Sequence, residues 1–280
     1  MPELAEVEYF RRQWNAGLGG RVREVALHSR KRVFRGTNTR ELIRCLTGAR
    51  LLGSIARGKR MLFRFSSANA TPAQSWLGIH LGMTGRLQCA AVEFRPGKHD
   101  HLVLYQRDRA LVFQDARQFG RIQFDHGETP PLWWDEATPE VSRMTRGFFD
   151  TFLARHARPP IKAVLLMQSG FSGIGNWMAD EILWRAKVAP HKQTGELTSS
   201  ERARTFRATR FVARESLRII GADDSDLPRT WLIHERWSAR GKCPKHGMVL
   251  RRTTIGGRTT AWCATCQSSR AKPRDPVEVA

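Results

Sequence analysis

The hydrophobic positions of this chain change period as it is read. Over residues 3–18, Leu4, Val7, Phe10, Trp14 and Leu18 recur at the spacing of one helix face, and Gly19-Gly20 ends the run. Glu3, Glu6 and Glu8 load the first turns, where the positive end of the helix dipole favours carboxylates. A helix that begins almost at residue 1 predicts a terminus held against folded structure. From about 21 to 125 the pattern becomes short strands: Val22–Leu27, Leu51–Ala56, Met61–Phe65, Trp76–Leu81, Leu102–Gln106, Leu111–Gln114 and Arg121–Phe124. Gly58, Gly78, Gly82, Gly85 and the Arg107-Asp108-Arg109 turn punctuate them. Many short strands without intervening helices predict an antiparallel sandwich or barrel.

The stretch from Gly127 to Glu140, with Pro130, Pro131 and Pro139, reads as a linker. Beyond about 143 the helical period returns, in Phe148–Arg155, Ile161–Gln168 and Asn176–Lys187. Thr198-Ser199-Ser200-Glu201 is a capping box ahead of a long helix. Its expected stripe is Ala203, Phe206, Arg210, Ala213, Leu217 and Ile220, with Arg202, Arg204, Arg207, Arg214 and Arg218 on a solvated basic face. No stretch approaches 18 uninterrupted apolar residues, and no apolar signal core opens the chain, so neither a membrane span nor secretion is expected.

Charge narrows the class of partner. The 47 Lys and Arg residues exceed the 26 Asp and Glu residues, giving a net charge of +21, and 38 of the 47 are arginine. Such a surplus repels itself unless a polyanion is near, and the guanidinium suits bidentate phosphate contacts. Nucleic acid is the first partner to test and an acidic membrane surface the second.

Two motifs carry chemistry. Cys243-Pro244-Lys245-His246 and Cys263-Ala264-Thr265-Cys266 are ligand pairs on tight turns, flanking a predicted hairpin that turns near Gly256-Gly257. Four such donors suit one tetrahedral, structural Zn2+. Cys45 and Cys89 are expected to be buried thiols. Gly170-Phe171-Ser172-Gly173-Ile174-Gly175 leads into Asn176 at a helix start, where unpaired N–H groups favour a phosphate.

Pro2-Glu3-Leu4-Ala5-Glu6-Val7-Glu8 resembles the start of the formamidopyrimidine-DNA glycosylase / endonuclease VIII family. Family-like segments follow in order: Gly58-Lys59-Arg60, His80-Leu81-Gly82-Met83-Thr84-Gly85, His99-Asp100-His101, Asp115-Ala116-Arg117-Gln118-Phe119-Gly120, Ile161-Lys162, Gly173-Ile174-Gly175-Asn176 and the cysteine hairpin. The resemblance spans roughly 1–267. It implies an α+β multidomain chain: an N-terminal antiparallel β-sandwich with an N-terminal helix (1–128), a linker (129–142), a helix–two-turn–helix domain (143–222), a zinc-finger module (223–267) and a disordered tail (268–280).

The resemblance also implies a bifunctional glycosylase/AP lyase of base excision repair, acting on double-stranded DNA with oxidised bases or abasic sites. Pro2, freed of Met1, would be the nucleophile. An α-amine of pKa about 7.7–8.0 supplies roughly 400 times more free base at neutral pH than an ordinary lysine. Glu3 would protonate the deoxyribose ring oxygen. Lys59, Asn176 and Arg258, with Lys162, would grip phosphates. Met83, Arg117 and Phe119 would fill the gap left by the extruded base. A monomer in the cytoplasm, associated with the nucleoid, is expected.

Some positions depart from the family pattern. Ala5 stands for a proline, Ala116 and Gln118 for a proline and a second arginine, and His246 for a zinc cysteine. The interval from Gly221 to Cys243 is brief, which points to an open base pocket. Oxidised pyrimidines, hydantoins or formamidopyrimidines are then expected to be processed better than 8-oxoguanine opposite cytosine. Two rival readings stay open: a damaged-DNA or abasic-site binder of the same fold without turnover, and a general zinc-ribbon nucleic-acid binder. Neither a protein partner nor the balance of β- and δ-elimination is legible.

Overall fold

The computed structural model describes residues 1–67, 74–135 and 140–268. The chain forms two compact units. The first comprises Met1–Met144, Met167–Gly175 and Ala213–Leu227; the second comprises Thr145–Leu166, Asn176–Val212 and the chain from Pro228 onward.

In the first unit, α1 (Leu4–Gln13) continues into a 3-10 turn at Trp14–Gly17. Then follow β1 (Glu24–Leu27), α2 (Thr39–Leu46), β2 (Leu51–Arg57), β3 (Arg60–Phe65), β4 (Gln74–His80), β5 (Arg86–Ala91), β6 (Asp100–Tyr105), β7 (Arg109–Gln114), β8 (Arg121–Gly127) and the single turn α3 (Leu132–Asp135). Two four-stranded antiparallel sheets, ordered β1-β6-β7-β5 and β2-β3-β4-β8, enclose one core. Alternation decides what enters it. Leu102 and Leu104 on β6 join Phe113, Phe63, Phe65 and Ile79 inside, while Val103 and Val112 pack on the opposite face with Phe94 and Tyr105. The sandwich reading holds. Trp14 packs against Phe63 with the rings tilted by 50° and their centroids 4.7 Å apart, and donates its indole N–H to the Val112 carbonyl, pinning the first helix segment to the sandwich.

Three expectations change here. The linker is partly docked: Trp134 is buried on Leu62 and Trp76, and Gly78 leaves the space that the Trp133 ring fills. Its residues 136–139, and 269–280 of the expected tail, lie outside the described residues. Cys89 is exposed, not buried, because β5 is an edge strand with only Leu87 fully inside; Cys45 is half-buried.

The second unit holds α4 (Arg146–Arg155), α5 (Ile161–Leu165), α6 (Asn176–Ala186), the first part of α7 (Ser199–Asp223) and the hairpin β9 (Arg251–Ile255) and β10 (Arg258–Trp262). The expected capping box is present. Glu201 N–H donates to Thr198 Oγ1 at 3.2 Å, and Thr198 N–H to the Glu201 carboxylate at 2.8 Å. The buried stripe of α7 is Thr205, Ala208, Thr209, Val212, Ala213, Ser216 and Ile220; it keeps Ala213 and Ile220 of the expected one, while Ala203, Phe206 and Leu217 are half-buried and Arg210 is exposed. Thr205 and Ser216 can face inward because the helix satisfies them: Thr205 Oγ1 donates to the Glu201 carbonyl at 2.8 Å and Ser216 Oγ to the Ala213 carbonyl at 3.2 Å, whereas Thr209 Oγ1 has no hydrogen-bond partner among the described residues. Among the described residues no helix is long and apolar enough to cross a membrane.

Candidate active site, strand wedge and metal centre

The start of α1 is built around Glu3. This residue caps the helix and pairs reciprocally with Glu6, its N–H donating to Glu6 Oε2 at 3.1 Å. Its side chain is 2% exposed, and Oε2 accepts the Gly175 N–H at 2.9 Å. Gly175 has to be glycine: a Cβ there would fall 2.2 Å from Glu3 Cδ. Leu4 N–H donates to the Gly173 carbonyl at 3.1 Å, and Gly173 N–H to Gln168 Oε1 at 3.1 Å. The glycine turn expected to cradle a phosphate therefore spends the N–H groups of Gly173 and Gly175 within the protein, and the anion that Gly175 holds is Glu3 itself. Pro2 is half-buried beside it, while Met1 is 44% exposed.

The Gly58-Lys59 turn between β2 and β3 lies against the same segment. Gly58 has φ +58°, and a Cβ would strike Ser172 Oγ. Lys59 is half-buried. Burial, then the positive charges of Lys59, Arg35 and Arg60, hold His80 down at about 4. The ring is neutral, and its Nδ1 accepts the Gly82 N–H at 3.0 Å. A neutral imidazole among three cations marks a local positive field.

Met83, Arg117 and Phe119 are brought together by two loops. Gly82, at φ +63°, presses its backbone onto Phe119 and Gly120, where a Cβ would sit 2.4 Å from the Phe119 carbonyl carbon. Asp115 is completely buried and ties the loops. Its Oδ1 accepts from Thr84 Oγ1 at 2.7 Å and from Arg117 N–H at 3.3 Å; its Oδ2 accepts the Gly120 N–H at 2.7 Å. Phe119 stays 42% exposed with the Arg117 guanidinium 4.9 Å from its ring centre. Gln118 takes φ +54° between them, and its side chain accepts the Arg32 N–H at 3.4 Å.

In the second unit, Asn176 opens α6, and its side-chain Oδ1 has no hydrogen-bond partner among the described residues. Arg258 starts β10 and is exposed after the Gly256-Gly257 turn, whose φ values of +58° and +70° suit a tight hairpin. Lys162 corrects the sequence reading. It is fully buried, with Nζ 2.5 Å from Asp180 Oδ1 and 3.2 Å from the Thr259 carbonyl. Asp180 Oδ2 also accepts Arg236 NH2 at 2.7 Å and the Ala261 N–H at 3.2 Å. Lys162 thus fastens the hairpin that carries Arg258 and presents no ammonium to a phosphate. Asp180 and Arg236 escape the sequence reading, since nothing local marks a pair 56 residues apart.

The ligand atoms of Cys243, His246, Cys263 and Cys266 lie within 4.8 Å of one another. Cys243 and Cys266 sulfurs are 3.7 Å apart, and His246 Nδ1 is 3.1 Å from Cys266 and 3.9 Å from Cys263. A tetrahedron with metal–sulfur legs of about 2.3 Å has edges of about 3.8 Å, so the donor set fits one tetrahedral cation. Trp184 donates its indole N–H to Cys243 Sγ at 3.3 Å, as an outer-layer donor to a thiolate would. Burial and the nearby Cys243 and Cys263 sulfurs push the Cys266 thiol up to about 12, the repulsion expected of clustered thiols that a cation relieves.

Residues 1–122 match the model of the formamidopyrimidine-DNA glycosylase N-terminal domain, and residues 137–225 match that of the formamidopyrimidine-DNA glycosylase H2TH domain. The formamidopyrimidine-DNA glycosylase of Thermus thermophilus is 33% identical over 281 residues, covering 95% of this chain and 98% of that protein. Its counterpart in Geobacter metallireducens is 31% identical, with 96% and 100% covered. Among solved structures, wild-type Lactococcus lactis Fpg with N7-benzyl-Fapy-dG DNA gives a TM-score of 0.83 at 25% identity, covering 96% of this chain and 100% of that one. The complex of Lactococcus lactis Fpg with abasic-site DNA gives 0.82 at 25% identity, with 95% and 100% covered. The chain belongs to the formamidopyrimidine-DNA glycosylase family.

Proposed function

We propose that this protein is a bifunctional DNA glycosylase and AP lyase of base excision repair, with the Pro2 amine as nucleophile once Met1 is removed and Glu3 as proton donor. The observation that carries the reading is the fixed Glu3 carboxylate: next to Pro2 in the chain, buried, and held by Gly175 N–H at 2.9 Å. A carboxylate placed this firmly beside a chain end can serve the reaction at one defined atom. The amine attacks the sugar C1′ and the damaged base departs with its bonding electrons. The proton that the Pro2 nitrogen loses on bonding passes to the Glu3 carboxylate, which hands it to the ring oxygen as the sugar opens to an iminium, while the departing base takes its proton from water. The iminium acidifies the C2′–H; loss of that proton expels the 3′ phosphate, and a further elimination expels the 5′ phosphate. Water then releases the enzyme.

Double-stranded DNA is the partner in this reading. Lys59, Asn176 and Arg258 hold phosphates, while Met83, Arg117 and Phe119 occupy the space of the extruded base. Cys243, His246, Cys263 and Cys266 hold one structural Zn2+, which would stabilise the hairpin bearing Arg258; four protein donors leave it no open position for chemistry. The work would take place in the cytoplasm, at the nucleoid. The brief interval after α7 supports a preference for oxidised pyrimidines, hydantoins or formamidopyrimidines over 8-oxoguanine opposite cytosine. Equal or faster turnover of the 8-oxoguanine duplex in a side-by-side assay rejects that preference.

Borohydride reduction on abasic DNA tests the chemistry. A trapped adduct whose mass shows every linked chain to lack Met1, with the bond at Pro2, supports it. An adduct on a lysine, or binding without any adduct, rejects it and leaves the non-catalytic damage binder.

A further inference from the structure

We infer that His101 is a positioning residue for the strand wedge: its Nε2–H holds the backbone of Asp115, and through it sets Arg117 and Phe119 for insertion beside an extruded base. The inference rests on the glycosylase reading above.

Three independent features converge on this histidine. The first is geometry. His101 Nε2 lies 2.8 Å from the Asp115 carbonyl oxygen, in a fully buried site. A carbonyl has no proton to give, so Nε2 must carry one, which fixes the tautomer. Nδ1 is left buried with no hydrogen-bond partner among the described residues. Burial lowers its proton affinity, and the His28 ring, with its centroid at 6.0 Å, and the Lys31 cation add to this against the Asp115 contribution. An apolar side chain would fill the space without an unpartnered side-chain nitrogen, but it would leave the Asp115 carbonyl without its donor. What the histidine supplies in return is the single N–H to Asp115.

The second feature is a break in the ladder. β6 and β7 pair Asp100 with Gln114 and then Leu102 with Phe113, so His101 falls at a register shift. A bulge re-aims one side chain at the cost of regular pairing. This one serves the last residues of β7, where the wedge loop begins: Asp115 N–H donates to the His99 carbonyl at 3.0 Å, and His28 N–H to the His101 carbonyl at 3.1 Å.

The third feature is what hangs from Asp115. Its carboxylate joins Thr84, next to Met83, to Gly120 and Arg117, and the loop passes through the left-handed conformation of Gln118. Such a loop keeps its shape only when its base is held. His101 holds the base from the sheet side, two residues before Arg117 and four before Phe119.

The test separates wedge positioning from folding and from chemistry. With His101→Leu, kcat/KM for base excision from a lesion duplex should fall about tenfold or more, from the stranded Asp115 carbonyl and the loosened loop. Cleavage of a single-stranded abasic oligonucleotide, which has no opposite strand to wedge, should stay within about twofold of wild type. His101→Gln, whose amide reaches as far as Nε2, should recover most duplex activity; His101→Asn, which reaches only as far as Nδ1, should not. In a chain already carrying Arg117→Ala and Phe119→Ala, His101→Leu should add less than about twofold. Equal losses on both substrates, full additivity in that background, or equal activity of the Gln and Asn variants overturns the inference. If the Leu variant fails to fold, the Gln and Asn pair decides. A wild-type protein inactive on both DNAs would instead overturn the glycosylase reading.

Discussion

Each unit is organised round a buried aspartate, and the two are dressed in opposite ways. Asp115 is satisfied by neutral donors: the Thr84 hydroxyl and the N–H groups of Gly120 and Arg117. Asp180 is satisfied by two cations, Lys162 and Arg236, with the Ala261 N–H as a third donor. The first arrangement spends no side-chain cation, so Arg117 keeps its guanidinium outside, over Phe119. The second consumes the lysine that a basic, DNA-seeking sequence would be read as offering, and turns it into a clasp on the Arg258 hairpin. A basic residue in such a chain is available to DNA only where no buried carboxylate has claimed it.

The largest effect expected from this contrast is at Asp180. Asp180→Ala leaves two buried cations without a counter-charge, a loss of about 3–5 kcal/mol. Thermal melting should show it, and in protein loaded with zinc a faster release of the metal to a chromophoric chelator should accompany it, because β10 loses its tie to α6. Asp115→Asn should cost less, about 1–3 kcal/mol, since only one uncharged donor is left facing an amide. Duplex cleavage should suffer there more than stability does. A larger melting loss for Asp115→Asn than for Asp180→Ala would erase the distinction between the two hubs.

Much of the molecule is legible from the chain alone. The first helix, the sandwich and the four metal donors follow from local periodicity or short motifs, while Met83, Arg117 and Phe119 are picked out only by the family resemblance. What escapes depends on distant pairing or weak amphipathicity. β5 has one fully buried side chain, Leu87, so its alternation is faint. α2 goes unseen although Asn38 caps it through the Glu41 N–H at 3.2 Å. The stripe of α7 is only partly read because Thr205, Thr209 and Ser216 look polar and yet are buried, Thr205 and Ser216 with their hydroxyls bonded to the helix's own carbonyls. Glu3 stands out in its motif, but its partner Gly175 lies 172 residues away. Lys162 reads as a DNA ligand because Ile161-Lys162 resembles a family segment, while its fate is decided by Asp180.

Salt dependence sharpens the same point with a smaller signal. Each phosphate that the protein ceases to neutralise lowers the steepness of log K against log salt by about 0.9. Lys59→Met should flatten the slope by about that amount. Lys162→Met should leave it unchanged while lowering the melting temperature. A flattened slope for Lys162→Met, measured by titration of an abasic-analogue duplex, would return this lysine to the DNA-facing set.

The smallest effect concerns Glu181, the neighbour of Asp180 on the same helix. It too is buried, but its one cationic partner among the described residues, Arg185, is itself 25% exposed, at 2.7 Å. Burial outweighs Arg185 and the Leu232 and Ile233 N–H groups, raising the Glu181 carboxyl from 4.5 to about 7. Between those values the folded chain keeps a proton that the unfolded chain has released. Stability should therefore be greatest below the unfolded value, decline as pH climbs through the interval, and level off above the folded one. From pH 6 to pH 8 the loss should be about 1 kcal/mol. Glu181→Gln, which cannot ionise, should remove that part of the decline in paired melting curves. An undiminished decline would mean that Arg185 already holds Glu181 ionised, placing it with Asp180 as a charge fully met by its partners.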